Sequence, residues 1–108
     1  MEDLESVAFG IITFSGDGRS YAIEAIREAK NGDIEKAEEL MKKCGEAFNM
    51  AHNMQTELLT KEAQGDKVKL DLLFIHAQDH LMTGLTVRQL AEEIIDLRKD
   101  LMKISNKN

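Results

Sequence analysis

Apolar residues along this chain fall into rows three and four residues apart, the spacing that lines one face of an α-helix. One row passes through Ile34, Ala37, Met41, Cys44, Phe48, Ala51 and Leu58. A longer one takes in Leu73, His76, His80, Thr83, Val87, Leu90, Ile94, Leu97, Leu101 and Ile104. Its C-terminal half is wholly aliphatic, a heptad-like stripe of the kind that seals a bundle or a coiled coil. Its N-terminal half is interrupted by His76, His80 and Thr83, with Asp79 on the neighbouring row. Polar groups on a buried seam cost free energy unless they are paired, so this interruption is where chemistry is expected.

Three glycine clusters punctuate the rows: Gly16-Asp17-Gly18, Asn31-Gly32-Asp33 and Gln64-Gly65-Asp66. Gly ends a helix in the left-handed conformation and Asp caps the next one. The predicted helices therefore run from near Leu4 to Lys30, with an interruption around Ser15 to Gly18, from about Asp33 to Gln64, and from about Leu70 to Ile104. Asn31-Gly32-Asp33 is short enough to reverse the chain into an antiparallel helical hairpin. The expected fold is all-α, an antiparallel three-helix bundle forming a single domain over residues 1–108.

Composition agrees with packed helices. The chain has no Trp and no Pro, so aliphatic side chains, Ala and six Met must build the core. Its net charge of −6, with Lys and Arg interleaved among acids, argues against nucleic acid as a partner. No apolar run approaches the roughly 20 residues that span a bilayer. Met1-Glu2-Asp3-Leu4-Glu5 lacks the basic start of a signal peptide, and the lone Cys44 excludes an internal disulfide. A cytoplasmic protein is expected.

The chemistry centres on His76-Ala77-Gln78-Asp79-His80-Leu81-Met82-Thr83. Residues three and four apart on a helix are neighbours, so His76 lies beside both Asp79 and His80. A neutral imidazole is a nucleophile near pH 7 and can carry a phosphoryl group on nitrogen. His-x-x-x-His is equally a metal-ligand spacing, to which Asp79 would add an oxygen. A third reading is a pair of satisfied histidines in a helical interface. The segment by itself leaves all three open.

Other features carry less. His52 reads as a hydrogen-bonded structural histidine, and Gln55, on the apolar row of the second helix, is placed to satisfy a polar group on the third helix. Gly16-Asp17-Gly18-Arg19-Ser20 has the look of a phosphate loop but lacks its Gly-Lys-Ser/Thr ending and a preceding strand. Asp17 capping a helix break is the better reading, with Arg19 available as a cation for an anionic site. Cys44 sits among apolar neighbours and reads as inert core. Phe74, Ile75 and Leu81 are candidates for contacts with a partner protein around the nucleophile.

Taken together, these motifs resemble the lactose/cellobiose-specific IIA components of the bacterial sugar phosphotransferase system. The resemblance spans nearly the whole chain. It rests first on the His76 to Thr83 segment, then on Gly16 to Ser20, Ala51-His52-Asn53-Met54-Gln55-Thr56 and the Asn31-Gly32-Asp33 turn. It implies a phosphocarrier in which His76 takes a phosphoryl group from HPr and donates it to a cysteine of the IIB component. The membrane IIC component then takes up and phosphorylates a β-linked disaccharide. Gln78, His80 and Thr83 are the expected supporting residues.

The resemblance also implies a homotrimer, with Asp79 from each copy meeting a divalent metal ion, Mg2+, on the symmetry axis. A hard cation with oxygen ligands would relieve the repulsion among three carboxylates. Ala77 within the motif inclines the sugar toward cellobiose or chitobiose rather than lactose. Gly18 departs from the Ala often found there in the family, and should loosen the first helix. Gly84 should permit close backbone approach within the third.

Overall fold

The computed structural model describes residues 4–67 and 70–106. Met1 to Asp3, whose acidic sequence bears on the signal-peptide reading, lie outside the described residues. Helices α1 (Leu4–Lys30), α2 (Ile34–Ala63) and α3 (Leu72–Asn106) follow one another up, down and up. The hairpin between α1 and α2 forms as expected. Gly32 takes a φ of +89°, a conformation only glycine adopts without strain, and the Asp33 carboxylate accepts a hydrogen bond from the Lys36 amide at 3.1 Å. Gly65, with φ +99°, follows the end of α2. Asp66 does not open α3; Asp71 does, accepting from the Phe74 amide at 2.9 Å.

The register follows from a few close contacts. A Cβ on Gly84 would lie 3.6 Å from the Ser15 carbonyl oxygen, and Arg98 Nε donates to the Ala29 carbonyl at 3.0 Å. Helices α1 and α3 thus run parallel and in step. Phe48 packs level with Gly18 and Gly84, while Gln55 meets Gln78, so α2 runs the other way. Both α2 and α3 pack chiefly on α1 and meet each other over far less of their length.

The seam of the bundle is made mainly of small residues at intervals of seven. On α1 these are Ala8, Ser15, Ala22 and Ala29; on α2, Ala37, Cys44, Ala51 and then Leu58; on α3, Ala77, Gly84 and Ala91. All are buried, and Ser15 holds its place by size, since its hydroxyl has no hydrogen-bond partner among the described residues. Small side chains let helix axes approach toward the short end of the usual range of about 8–10 Å. The outcome is a rod of 63 × 20 × 19 Å. Burial pushes the Cys44 thiol up to about 11 against the opposing pull of the Arg88 guanidinium, which agrees with an inert core cysteine.

Two expectations are corrected here. Helix α1 is continuous through Gly16-Asp17-Gly18, and exposed Asp17 caps nothing. Gly18 is present for space: a Cβ there would fall 2.6 Å from Phe48 Cε2, and one on Gly84 would fall 2.7 Å from Cε1 across the ring. Gly16, two residues earlier, faces open space, and a Cβ added to it would meet nothing within 4 Å. Gly16→Ala should therefore stabilise the fold by about 0.5–1 kcal/mol through helix propensity. Gly18→Ala should destabilise by about 1 kcal/mol or more, because overpacking outweighs the same propensity gain. Paired urea titrations would read the opposite signs.

The second correction concerns the partner contacts expected of α3. Its own bundle buries Phe74, Ala77, Leu81, Gly84, Ala91 and Ile95, a neighbouring row. The aliphatic row remains on the surface, with Leu90, Leu97, Leu101 and Ile104 each more than half exposed and Ile94 only slightly less so. Phe74 and Leu81 are core residues and cannot meet a partner; of the three expected contacts only Ile75 is exposed.

Candidate functional site

His76 lies on the second turn of α3, held by a helix that begins at the Asp71 cap and is sealed beneath by Phe74, Ala77 and Leu81. Its imidazole is exposed. His80, one turn on, is half-buried, and the two Nε2 atoms stand 3.1 Å apart with the rings edge to face at a centroid separation of 4.5 Å. One ring supplies the proton of that contact and the other the lone pair, so His80 fixes the rotamer of His76. The i, i+4 adjacency expected of the motif is present.

The remaining residues divide. Gln78 is half-buried and its Oε1 accepts a hydrogen bond from Gln55 Nε2 on α2, the cross-helix partner that Gln55 was expected to find. Thr83 donates its hydroxyl proton to the Asp79 carbonyl at 2.7 Å, which leaves only its oxygen lone pairs to face outward. The Asp79 carboxylate is exposed, with no hydrogen bond or ion pair to His76 or to any other described residue.

His52 is exposed on α2 and has no hydrogen-bond partner among the described residues, so the structural-histidine reading fails. Arg19 is level with Arg88 in the α1–α3 register, three turns beyond His76 or about 18 Å at the helical rise. It lines a shallow depression with Ile23 and Arg27 and lies outside the histidine site of its own chain. A larger depression of about 640 Å3, lined by Val7, Asn53, Thr56, Leu58 and Lys61 among others, does not include His76 either. The nucleophile candidate is exposed on the surface of α3 and lines neither depression.

No group of three His, Cys, Asp or Glu side chains is placed to hold a metal ion among the described residues. Within one chain, then, the metal-centre reading of the His76, Asp79 and His80 cluster has no support. No described helix is long and apolar enough to cross a membrane.

The site is thus an exposed imidazole held by a second one on the surface of an all-helical, three-helix rod. The chain belongs to the lactose/cellobiose-specific IIA subunit family of the sugar phosphotransferase system, whose description matches residues 6–99. It is 48% identical over 96 residues to the lichenan-specific phosphotransferase enzyme IIA component of Bacillus subtilis, covering 89% of this chain and 87% of that protein. Among solved structures, the cellobiose-specific enzyme IIA of Bacillus anthracis superposes with a TM-score of 0.90 at 47% identity, over 95% of both chains. The Escherichia coli chitobiose-branch IIA, solved in complex with HPr, gives a TM-score of 0.82 at 41% identity, over 94% of this chain and 99% of that one.

Proposed function

We propose that this protein is a cytoplasmic phosphocarrier in which His76 accepts a phosphoryl group from HPr and donates it to a cysteine of a IIB component. The carrying observation is the exposed His76 imidazole, fixed by His80 at 3.1 Å, in a chain of this family. The HPr complex of the chitobiose-branch relative supports HPr as donor. A lone pair on a His76 nitrogen attacks phosphorus in line; the nitrogen–phosphorus bond forms as the bond to the donor breaks, and the donor keeps that electron pair. Transfer onward reverses the roles, with the acceptor sulfur attacking and His76 leaving. The transported sugar would be a β-linked disaccharide taken up through IIC, cellobiose or chitobiose rather than lactose.

Incubation of the protein with phosphoenolpyruvate, enzyme I and HPr tests the reading by intact mass. The expected result is an acid-labile gain of one phosphoryl group, mapping to the peptide that contains His76. A folded sample that gains nothing beside active upstream proteins would refute it.

The same reading includes a homotrimer joined through the exposed α3 row. The isolated chain exposes 7325 Å2, against about 6100 Å2 for a compact monomer of its mass. Its radius of gyration is 17.2 Å, against about 13 Å expected for a compact chain of this length. Asp79 lies on the same side of α3, exposed and unpaired among the described residues, which suits one oxygen ligand per copy to a shared divalent cation such as Mg2+. The cation would neutralise three converging carboxylates; transfer at His76 does not pass through it. Leu97→Asp should convert the trimer to monomer in sedimentation at micromolar concentration, since it would put a charge into the joined face.

A further inference from the structure

We infer that the Gln55–Gln78 amide pair is the device that sets the rotational position of α3 at the His76 turn, making both glutamines positioning residues for phosphoryl transfer. This rests on the proposed role of His76. Three polar contacts tie α3 to the other helices among the described residues. Arg98 to the Ala29 carbonyl and Lys99 to Glu38 both hold its C-terminal half. Among the polar contacts given by the described residues, the hydrogen bond from Gln55 Nε2 to Gln78 Oε1 is the one that holds the half carrying His76.

Geometry makes that tie consequential. Helices α2 and α3 meet over little of their length. Beside the nucleophile the buried side of α3 is Phe74, Ala77 and Leu81, all of them apolar. Apolar contacts of this kind hold helices together but are non-directional. A hydrogen bond between two half-buried amides is directional, and breaking it by removing one partner leaves the other desolvated and unpaired. Gln78 is two residues from His76, so the imidazole cannot change its angle about the axis without moving the amide. A side-chain tip stands about 5–6 Å from the helix axis, so rolling α3 by about 10° displaces it by about 1 Å. Misplacement on that scale costs up to about 100-fold in a reaction that depends on in-line approach.

The test is rapid-quench transfer from phosphorylated HPr to the protein, with HPr varied so that the maximal rate is separated from half-saturation. The variants are Gln55→Leu, Gln78→Leu, the double Gln55→Leu/Gln78→Leu, and Gln55→Glu. In Gln55→Glu the amide of Gln78 can turn to donate to the new carboxylate. Each leucine variant should lose about 10-fold in maximal rate with half-saturation within about twofold of wild type, and the double should be no worse than the singles. Gln55→Glu should recover most of the rate. Arg98→Ala serves as the control for loosening the rod elsewhere: it should lower thermal stability and leave the maximal rate unchanged.

Leucine variants that transfer at the wild-type rate, or that lose no more than Arg98→Ala does at equal loss of stability, would overturn the inference alone. Wild type that accepts no phosphoryl group in the same assay would overturn the reading beneath it, and this inference with it.

Discussion

His76→Ala should abolish phosphoryl acceptance while leaving the fold intact. The imidazole is exposed and its one hydrogen bond among the described residues is to His80, so little packing is lost with it. Surface substitutions of this kind change stability by about 0.5 kcal/mol or less, and Ala favours a helix interior. The chemical loss has no comparable floor. No other described histidine is expected to take over: His80 is half-buried one turn away, and His52 belongs to another helix. Intact mass after incubation with the upstream relay would show no phosphorylated species in the variant, and its circular dichroism would match wild type. His80→Ala should behave differently, retaining acceptance at a rate lowered by about 10-fold or more, because it removes the constraint on the nucleophile and not the nucleophile. A mass gain persisting in His76→Ala would relocate the phosphoryl site and refute the proposed mechanism.

The second large effect lies in the core. Phe48 is 1% exposed, its ring lying between Gly18 on α1 and Gly84 on α3. Phe48→Ala leaves a cavity whose walls are helix backbone on two sides, and backbone collapses into a void less readily than side chains do. A cost of about 3–5 kcal/mol follows, a large share of the roughly 5–15 kcal/mol that holds a domain folded. Denaturant titration would read it directly. The sharper test is Gly18→Ala in the Phe48→Ala background. The methyl that collides with the ring in wild type would then fill space, so its effect should change sign from destabilising to stabilising. An unchanged sign would mean that the ring does not explain the glycine.

That glycine also shows where sequence reasoning stops. Asn31-Gly32-Asp33 and Gly16-Asp17-Gly18 look alike as strings, and only the first ends a helix. What distinguishes them is Phe48, thirty residues beyond Gly18 along the chain and against it in space. Local punctuation cannot register such a neighbour. The two rows of α3 show a related limit. Periodicity finds apolar faces, but a ranking by hydrophobicity selects the row with the larger side chains, here the exposed one. The signal for the buried row was present as small residues at intervals of seven, Ala77, Gly84 and Ala91, matched by Ala8, Ser15, Ala22 and Ala29 on α1. Within the site, the legible parts were those set by helical spacing alone. His76 beside His80 follows from a step of four, and Gln55 facing α3 follows from its place on a buried row. The use of the Thr83 proton by the Asp79 carbonyl depends on a rotamer, and no spacing rule reports it.

His76 is exposed on the surface of α3 and lines neither of the two depressions of its own chain. An exposed side chain of this kind can meet two docking proteins in turn, yet it admits only one at a time. Donor and acceptor therefore exclude each other, and turnover must alternate between them. Steady-state kinetics should give parallel double-reciprocal lines, and an excess of either partner should inhibit by occupying the wrong charge state of the carrier. The throughput of the relay is then governed by the ratio of the two partners in the cell as much as by the speed of either transfer.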